Sequence, residues 1–475
     1  MLRASASIER AGYPTVSIVS SGFLKQAEVV ARGLGLPDLK IAHYPGTPMV
    51  DSSDELRRKV AEQLVPQIIA GIASPAPSEL AAAASAEPVP VQVVFSGTLD
   101  EVNEHFHQNL WTDGMPVIPP TVERIERFLR FTDRARDEVI GVCPPDNREA
   151  TVWNIAVTGV MAGCRPEYMP VLIAIVEVIT DPEFRVQDAG STPGWEPLIV
   201  INGPIVKALD FNSGASVMRM GRQSNTTVGR FLRLVLRNLA GFRFAPGAGD
   251  KGSIGQSFLV ALAENEDACA EVGWQPYAVD RGFGAGENVV TVQSVVSISP
   301  PIYSGSEKAV EHARVLAEVA AQSAMYWSPV AMTYARYDPL LLMSPSIAKV
   351  FADNGWSKDD VRRHIYDNAW ITAADAERYA YYIGLTGFTL RGHVDKGLLP
   401  PEYCASDDPQ RLIRVFTSPE AIGIVVAGDP GRNQSKIYCS NHTQGPPVSR
   451  RIELPRRWAE LTAERSKVSE KERTP

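Results

Sequence analysis

Tyr13-Pro-Thr-Val-Ser-Ile-Val-Ser20 is a short run of apolar and β-branched residues, which predicts a buried strand. A helical stretch follows at residues 23–34, then a second short strand at residues 39–43. Ser52 or Ser53 is expected to cap a further helix that runs to about residue 72, with an interruption at Pro66. The order strand, helix, strand, helix is that of a parallel α/β unit.

This unit begins abruptly. Residues 7–11 have the pattern of the end of a helix that leads into the first strand, and no strand pattern comes before them. Two parallel strands make a poor sheet alone, because a stable sheet generally needs three or more. The sequence therefore predicts that the missing strands come from the rest of the chain or from another chain.

The chain length of 475 residues predicts two or more domains. We expect a half domain at residues 1–73 and a linker rich in Ala, Ser and Pro at residues 74–90. A larger domain at residues 91–465 and a flexible tail at residues 466–475 follow. The predicted fold class is α/β, with a partial parallel α/β unit at the N-terminus and a larger mixed α/β domain.

Composition narrows the class of protein. A net charge of -8 argues against a nucleic-acid partner, which needs a basic surface. The five cysteines are scattered and do not form a disulfide framework or a zinc knuckle. No signal peptide and no apolar run of about 20 residues is seen, so we expect a cytoplasmic protein with no membrane segment. The histidine and carboxylate spacing matches no metal-binding motif, which leaves open a site assembled from distant residues, and no motif names a cofactor.

A family resemblance is visible in the first part of the chain. Its residues are Gly12-Tyr-Pro-Thr-Val16, Phe23, 27–31 and Gly33-Leu-Gly-Leu-Pro-Asp38. Residues 8–72 resemble the C-terminal half of the UGSC family, small proteins named for a Sec/Cys-Gly-Ser-Cys motif. That motif lies upstream in the family, and the first cysteine here is Cys143. The resemblance implies that the segment is a remnant or that a small partner carrying the motif completes it.

The larger domain resembles uncharacterised companion proteins of that family. The likeness lies in residues 111–120, 161–168 and 426–431. It implies no particular activity.

One cysteine has the position of a nucleophile. Cys164 follows a helix that Thr151 is expected to cap, and it lies beside Arg165 and just before the next helix start at Pro166. A helix start and an arginine would lower the pKa of the thiol and favour catalysis. The alternative is a buried small apolar residue, which a free cysteine usually is.

Three polar clusters could form a pocket for a carboxylate or a phosphate. Residues 197–202 form a strand that ends in Asn-Gly-Pro, and ligands bind past such strand ends in open α/β sheets. The other clusters precede a helix at residues 228–239, whose start would attract anions. The alternative is that these residues only form turns and caps. The candidate substrate-binding residues are Asn202, Asn212, Ser213, Arg222 and Asn225.

Other candidates lie before and after these clusters. Lys251 is in a glycine-rich loop, residues 246–255, that could close on a substrate. Glu264, if buried beside a cation, or Glu149 could act as a general base. Arg230, Arg233 and Arg237 share one helix face, which is expected to be solvated, with a partner or anion surface as the alternative.

Three functions stay open from the sequence. In the first, the chain is a subunit of an enzyme that acts on a small polar or anionic substrate. It forms an oligomer with a thiol- or selenol-bearing UGSC-motif partner. The chemistry would be bond cleavage by a lyase or reduction by a thiol-dependent reductase. Alternatively, the chain is a partner-independent hydratase, lyase or hydrolase with a glutamate base, or a non-catalytic binding or scaffold subunit.

Overall fold

A computed structural model describes residues 2–48, 50–75, 92–189, 194–243, 257–325, 328–334, 338–385, 387–441 and 444–463. The chain divides into two compact units. The first unit contains residues 1–116, 142–150 and 234–251, and the second contains residues 117–141, 151–233 and 252–475. The predicted linker, beyond residue 75, and the predicted tail lie outside the described residues.

The helices are α1 (Leu2–Arg10), α2 (Leu24–Gly33), α3 (Ser53–Lys59), α4 (Val65–Ile72), α5 (Leu99–Gln108), α6 (Val122–Leu129), α7 (Val152–Ala162), α8 (Met169–Ile179), α9 (Ile205–Ala208), α10 (Gln223–Asn238), α11 (Glu266–Glu271), α12 (Tyr277–Asp280), α13 (Ala309–Met325), α14 (Ser328–Tyr334), α15 (Pro345–Asp353), α16 (Lys358–Asn368), α17 (Ala373–Tyr382) and α18 (Leu390–Asp395). Within the described residues, none of them is both long and apolar enough to cross a bilayer.

The strands are β1 (Ser17–Ser20), β2 (Ile41–Tyr44), β3 (Val139–Cys143), β4 (Arg148–Thr151), β5 (Glu196–Asn202), β6 (Leu262–Ala263), β7 (Val289–Ile298), β8 (Ile302–Tyr303), β9 (Leu340–Met343), β10 (Trp370–Thr372), β11 (Leu412–Arg414), β12 (Gly423–Val426), β13 (Gln434–Ser440) and β14 (Val448–Arg451).

The N-terminal segment has the predicted parallel order. β1 pairs with β2 in parallel, from Ser17 opposite Ile41 onwards. The strand begins later than predicted because the backbone N–H and the hydroxyl of Thr15 donate to the Glu9 carboxylate of α1. The predicted interruption of the last helix is a π-helical segment, Val60–Leu64, which ends two residues before Pro66.

The second unit contains a mixed sheet. Six strands follow the order β12-β9-β13-β7-β5-β6, and β14 and β8 pair with β7 and β13. β5 and β6 are parallel, as are β9 and β12, whereas β7 runs antiparallel to β5, β13 and β14. The mixture of helices with parallel and antiparallel strands confirms the predicted α/β class.

This sheet curls until its two edge strands meet. The backbone N–H of Asn265, just after β6, donates to the carbonyl oxygen of Val426 in β12 over 2.8 Å. One apolar cluster contains residues from all six strands, including Leu198, Leu262 and Val425. Alternate residues, such as Leu341, pack on the other face in a separate cluster with helices α13, α15 and α16. The curl encloses an apolar interior within the second unit.

Candidate functional site

A cavity of about 290 Å³ opens in the second unit, and we call it the Tyr277 cavity. It lies between α12, α16, β7 and the residues that precede β9, β12 and β14. This volume is close to the lower end of the range for small-molecule pockets, about 300–1,000 Å³. Its polar and charged lining residues are Tyr277, Asp280, Arg281, Gln293, Asp338, Asp359, Arg362 and Glu420.

Two of these polar side chains are almost completely buried. Tyr277 is 3 % exposed and Gln293 is 2 % exposed. Among the described residues, the Tyr277 hydroxyl has no hydrogen-bond partner, and the same holds for Gln293 Oε1. Burial raises the pKa of Tyr277 to about 12, so its hydroxyl stays protonated at neutral pH. An unsatisfied buried polar group costs about 1–3 kcal/mol, which a bound molecule in the cavity would remove.

Local structure fixes the position of Tyr277. Pro276 precedes α12, and the backbone N–H of Tyr277 donates to Glu264 Oε2 over 2.6 Å. The ring packs against Gly423 at the start of β12, where a Cβ atom would lie 3.3 Å from the hydroxyl and 2.7 Å from Leu340 Cδ1. The absence of a side chain at Gly423 therefore leaves room for the ring.

Charged groups form a network behind and along the cavity wall. Lys358 Nζ lies 3.2 Å from Asp280 Oδ2 and 3.8 Å from Glu264 Oε1. Arg362, one helical turn further on α16, donates to Asp280 over 2.5 Å and to Asp359 over 2.6 Å. Lys358 and Arg362 are both buried, and removing one partner of a buried ion pair is strongly destabilising. The network ties α16 to α12 and fixes the shape of the cavity.

Glu264 holds the ends of three elements together. Its Oε2 accepts hydrogen bonds from Asn202 Nδ2 and from the Tyr277 N–H, each over 2.6 Å, and its Oε1 accepts from the Val426 N–H over 3.1 Å. Burial raises the pKa of this carboxyl, and Lys358 opposes that shift. Glu264 is therefore buried beside a cation, Lys358, which is the condition given above for its role as a general base. Glu264 supports the wall of the Tyr277 cavity and is not among its lining residues.

Asn202 ends β5, as the sequence predicted. Its Nδ2 donates to Glu264 and, over 3.0 Å, to Glu266, which also accepts the Gly203 N–H. Its Oδ1 is buried and accepts no hydrogen bond from the described residues. The structure thus brings Asn202 and Glu264 together, and a substrate-binding role for Asn202 stays a prediction.

Asn212 and Asn225 bind each other and the backbone. Asn225 Oδ1 accepts from the Asn212 N–H over 2.8 Å, and its Nδ2 donates to the carbonyl oxygens of Asn212 and Ala261. Asn212 Oδ1 accepts the Gly214 N–H within a turn. The carbonyl oxygen of Ser213 accepts the Gly428 N–H. These contacts are the ones expected if Asn212, Ser213 and Asn225 form backbone turns instead of a substrate pocket.

The next helix begins earlier than the predicted residue 228. α10 begins at Gln223, so Ser224 and Asn225 lie inside its first turn. The Ser224 hydroxyl donates to the carbonyl oxygen of Asp210, which accounts for its burial. Arg222 forms an ion pair with Asp210 over 3.0 Å, and its side chain is half exposed.

Cys164 has the local position predicted but not the predicted acidity. Thr151 caps α7, and Gly163 ends that helix with a left-handed φ of 80°. The Cys164 thiol is buried and donates to the Thr227 carbonyl oxygen over 3.3 Å. Arg165 is paired with Glu167. Burial raises the pKa of Cys164 to about 12, which is the opposite of the lowered pKa expected near a helix start.

This environment predicts low reactivity for Cys164. Iodoacetamide at mildly alkaline pH is expected to leave Cys164 unmodified in the folded chain, because alkylation requires the thiolate. Cys404 is partly exposed and is expected to react first. Peptide mass spectrometry after timed alkylation measures both sites, and the denatured chain is the control in which all five cysteines react. Modification of Cys164 as fast as that of Cys404 would contradict the buried, protonated thiol.

The arginine face of α10 is not solvated, contrary to the sequence-based expectation. Arg233 is 8 % exposed and forms a buried ion pair with Glu196 at the start of β5. Arg237 is 6 % exposed and its Nε donates to the Leu110 carbonyl oxygen over 2.8 Å. The face of α10 that carries Arg233 and Arg237 is therefore buried in the protein.

The remaining predicted residues are not part of the Tyr277 cavity. Glu149 is exposed on β4, in the first unit. Lys251 and the glycine-rich loop around it lie outside the described residues. Among the described residues, no group of three or more potential metal ligands is found.

Sequence reasoning missed the residues that line the cavity. Gln293 gave a usable signal, because it is a long polar side chain within the apolar strand Val289–Ile298. Lys358 and Arg362 are spaced four apart, which places them on one helix face. Nothing local in the sequence connects either feature to Tyr277.

Comparison with known proteins gives one match. Residues 1–74 match the model of the UGSC family. This segment contains α1–α4 with β1 and β2. It confirms the resemblance, and it gives no support by itself to assigning the segment to the C-terminal half of that family. The chain matches no curated protein and no solved structure.

Proposed function

We propose that this chain is a subunit of an enzyme that binds a small polar molecule in the Tyr277 cavity, and that a second polypeptide supplies the reactive thiolate or selenolate. The observation that carries the first part is the pair of buried side chains, Tyr277 and Gln293, whose unused hydrogen-bonding atoms belong to cavity-lining residues. Such convergent polar groups in a concave site are typical of small-molecule binding.

The second part rests on the UGSC match. Residues 1–74 contain no cysteine, so this segment does not carry the reactive pair for which the family is named. Cys164, with its raised pKa, is a poor substitute. We infer that the segment corresponds to the C-terminal half of the UGSC fold and that a small UGSC-motif chain completes it in a hetero-oligomer. The five free cysteines suit the proposed cytoplasmic location.

The N-terminal segment has a surface that fits such a partner. In the described residues β1 pairs only with β2, and the Gln67 side chain of α4 binds the backbone N–H and carbonyl oxygen of His43 on the other edge of β2. The outer edge of β1 is therefore the one available for a further strand. Apolar side chains are exposed on the same segment: Ile18 of β1 is 40 % exposed, and Ile69 of α4 is 63 % exposed. A partner that adds a strand beside β1 would pair this edge and cover these side chains.

A single glycine substitution tests the binding site. Gly423→Ala is expected to reduce ligand retention several-fold, because its Cβ would press on the Tyr277 ring and on Leu340. Gly305→Ala is the matched control, since a Cβ there meets no atom within 4 Å. Each protein is purified from its own host and denatured, and the released small molecules are measured by mass spectrometry.

The expected result is one compound that the wild type and Gly305→Ala release in equal amounts and Gly423→Ala releases far less. Unfolding midpoints of the three proteins verify that both variants are folded. Equal release from Gly423→Ala and Gly305→Ala, or no release from any of them, would contradict binding in the Tyr277 cavity.

A further inference from the structure

We propose that the ligand of the Tyr277 cavity carries a protonated amine; this inference rests on the binding site proposed above and names its substrate class. The cavity is lined by four carboxylates, those of Asp280, Asp338, Asp359 and Glu420, and by only two guanidinium groups, those of Arg281 and Arg362. Lys358 lies behind the wall, closer to Asp280 than to Glu264, and offsets part of the charge of Asp280.

Both guanidinium groups already form hydrogen bonds within the protein. Arg362 donates through Nε to the Ile422 carbonyl oxygen, through Nη1 to Asp359 and through Nη2 to Asp280. Arg281 donates through Nη2 to the Pro447 carbonyl oxygen over 2.7 Å and through Nε to the Ser449 hydroxyl. Arg362 is thus neutralised by Asp280 and Asp359, so Arg281 is the lining cation that forms no ion pair with the described residues, and an anionic ligand would also face the carboxylate of Glu420.

Several hydrogen-bond acceptors at the cavity are not used by the described residues. Gln293 Oε1 has no donor among the described residues, and the Tyr277 hydroxyl oxygen can accept as well as donate. Glu420 is exposed at the cavity and forms no ion pair with the described residues. An ammonium group offers up to three N–H donors and a positive charge, which suits both the buried acceptors and the acidic lining.

The size of the cavity limits the ligand. A volume of about 290 Å³ suits a compact molecule rather than a nucleotide. Matched four-carbon probes of each charge class fit this limit: 1,4-diaminobutane is cationic, 1,4-butanediol is neutral and succinate is anionic.

Calorimetric titration of the full-length chain with these three probes tests the amine class. We expect 1,4-diaminobutane to bind at least about ten-fold more tightly than 1,4-butanediol, because charge-assisted hydrogen bonds are roughly twice as strong as neutral ones. Succinate is expected not to bind. Glu420→Gln should weaken diamine binding by about two- to five-fold, and Glu318→Gln, an exposed control on α13, should not change it.

Tyr277→Phe is a second variant that tests diamine binding, and it is expected to fold. Its hydroxyl has no partner among the described residues, so its removal is expected to leave the unfolding midpoint of the free chain unchanged or higher and to weaken diamine binding by about five-fold. An unchanged affinity in both Tyr277→Phe and Glu420→Gln would overturn the inference.

The remaining outcomes separate this inference from the proposed function. If succinate binds more tightly than the diamine and Gly423→Ala abolishes that binding, the cavity is a site and the amine class is wrong. If none of the probes binds, the amine class is overturned, while the comparison of host ligands in Gly423→Ala and Gly305→Ala still decides whether the cavity is a site.

Discussion

Replacement of Glu264 by alanine is expected to lower the free energy of unfolding by about 3–5 kcal/mol, one of the two largest effects predicted for a single side chain. The substitution removes the acceptor of Asn202 Nδ2 and of two backbone N–H groups, those of Tyr277 and Val426. It also leaves Lys358 buried with one carboxylate fewer. Each buried donor without a partner adds its own desolvation cost.

Urea denaturation of the purified chain measures this loss. Glu271→Ala is the matched control, because Glu271 is exposed at the end of α11 and a surface substitution there is expected to change stability by no more than about 0.5 kcal/mol. Glu264→Gln retains the shape but presents an amide to donors, so it should lie between the wild type and Glu264→Ala. A decrease in the free energy of unfolding of less than about 1 kcal/mol in Glu264→Ala would contradict the conclusion that Glu264 holds the elements of the cavity wall together.

Replacement of Arg233 by methionine is expected to have an effect of similar size, about 3–5 kcal/mol. Glu196 is 2 % exposed, and burial raises its pKa to about 7 even with the Arg233 guanidinium beside it. Without that cation, the carboxyl must stay protonated or remain as an uncompensated buried charge. Either outcome destabilises the contact between α10 and β5 at neutral pH.

The double variant Glu196→Leu with Arg233→Met is the control for this pair. Replacing a buried ion pair by apolar side chains of similar size is often neutral or stabilising, so most of the loss should be recovered. Denaturation of the two single variants and the double variant measures the coupling. Additive losses, with no recovery in the double variant, would show that the pair does not interact as described.

The local order of the N-terminal segment could be predicted from sequence. Ser17–Ser20 and Ile41–Tyr44 are short β-branched or apolar runs that flank an amphipathic helix, and such patterns depend on neighbouring residues. The cap by Thr151 was predictable for the same reason. The start of β1 was not, because it depends on the contact between Thr15 and Glu9.

The Tyr277 cavity could not be predicted because it depends on distant parts of the chain. Tyr277, Gln293 and Arg362 lie on three different elements, and the curl of the sheet brings them together. The polar clusters that stood out in sequence, around Asn212 and Asn225, use their side chains to fix backbone turns. Polar residue types occur in both places, and only packing separates a turn from a cavity.

Native mass spectrometry of the protein purified from its own host tests the central claim most directly. We expect a complex heavier than the 51.7 kDa chain, containing a small second polypeptide with a cysteine or selenocysteine pair. Ile18→Glu, which places a charge on the exposed face of β1, should release that polypeptide and leave the chain folded. A lone 51.7 kDa species in the wild type would contradict the claim that a partner completes the protein.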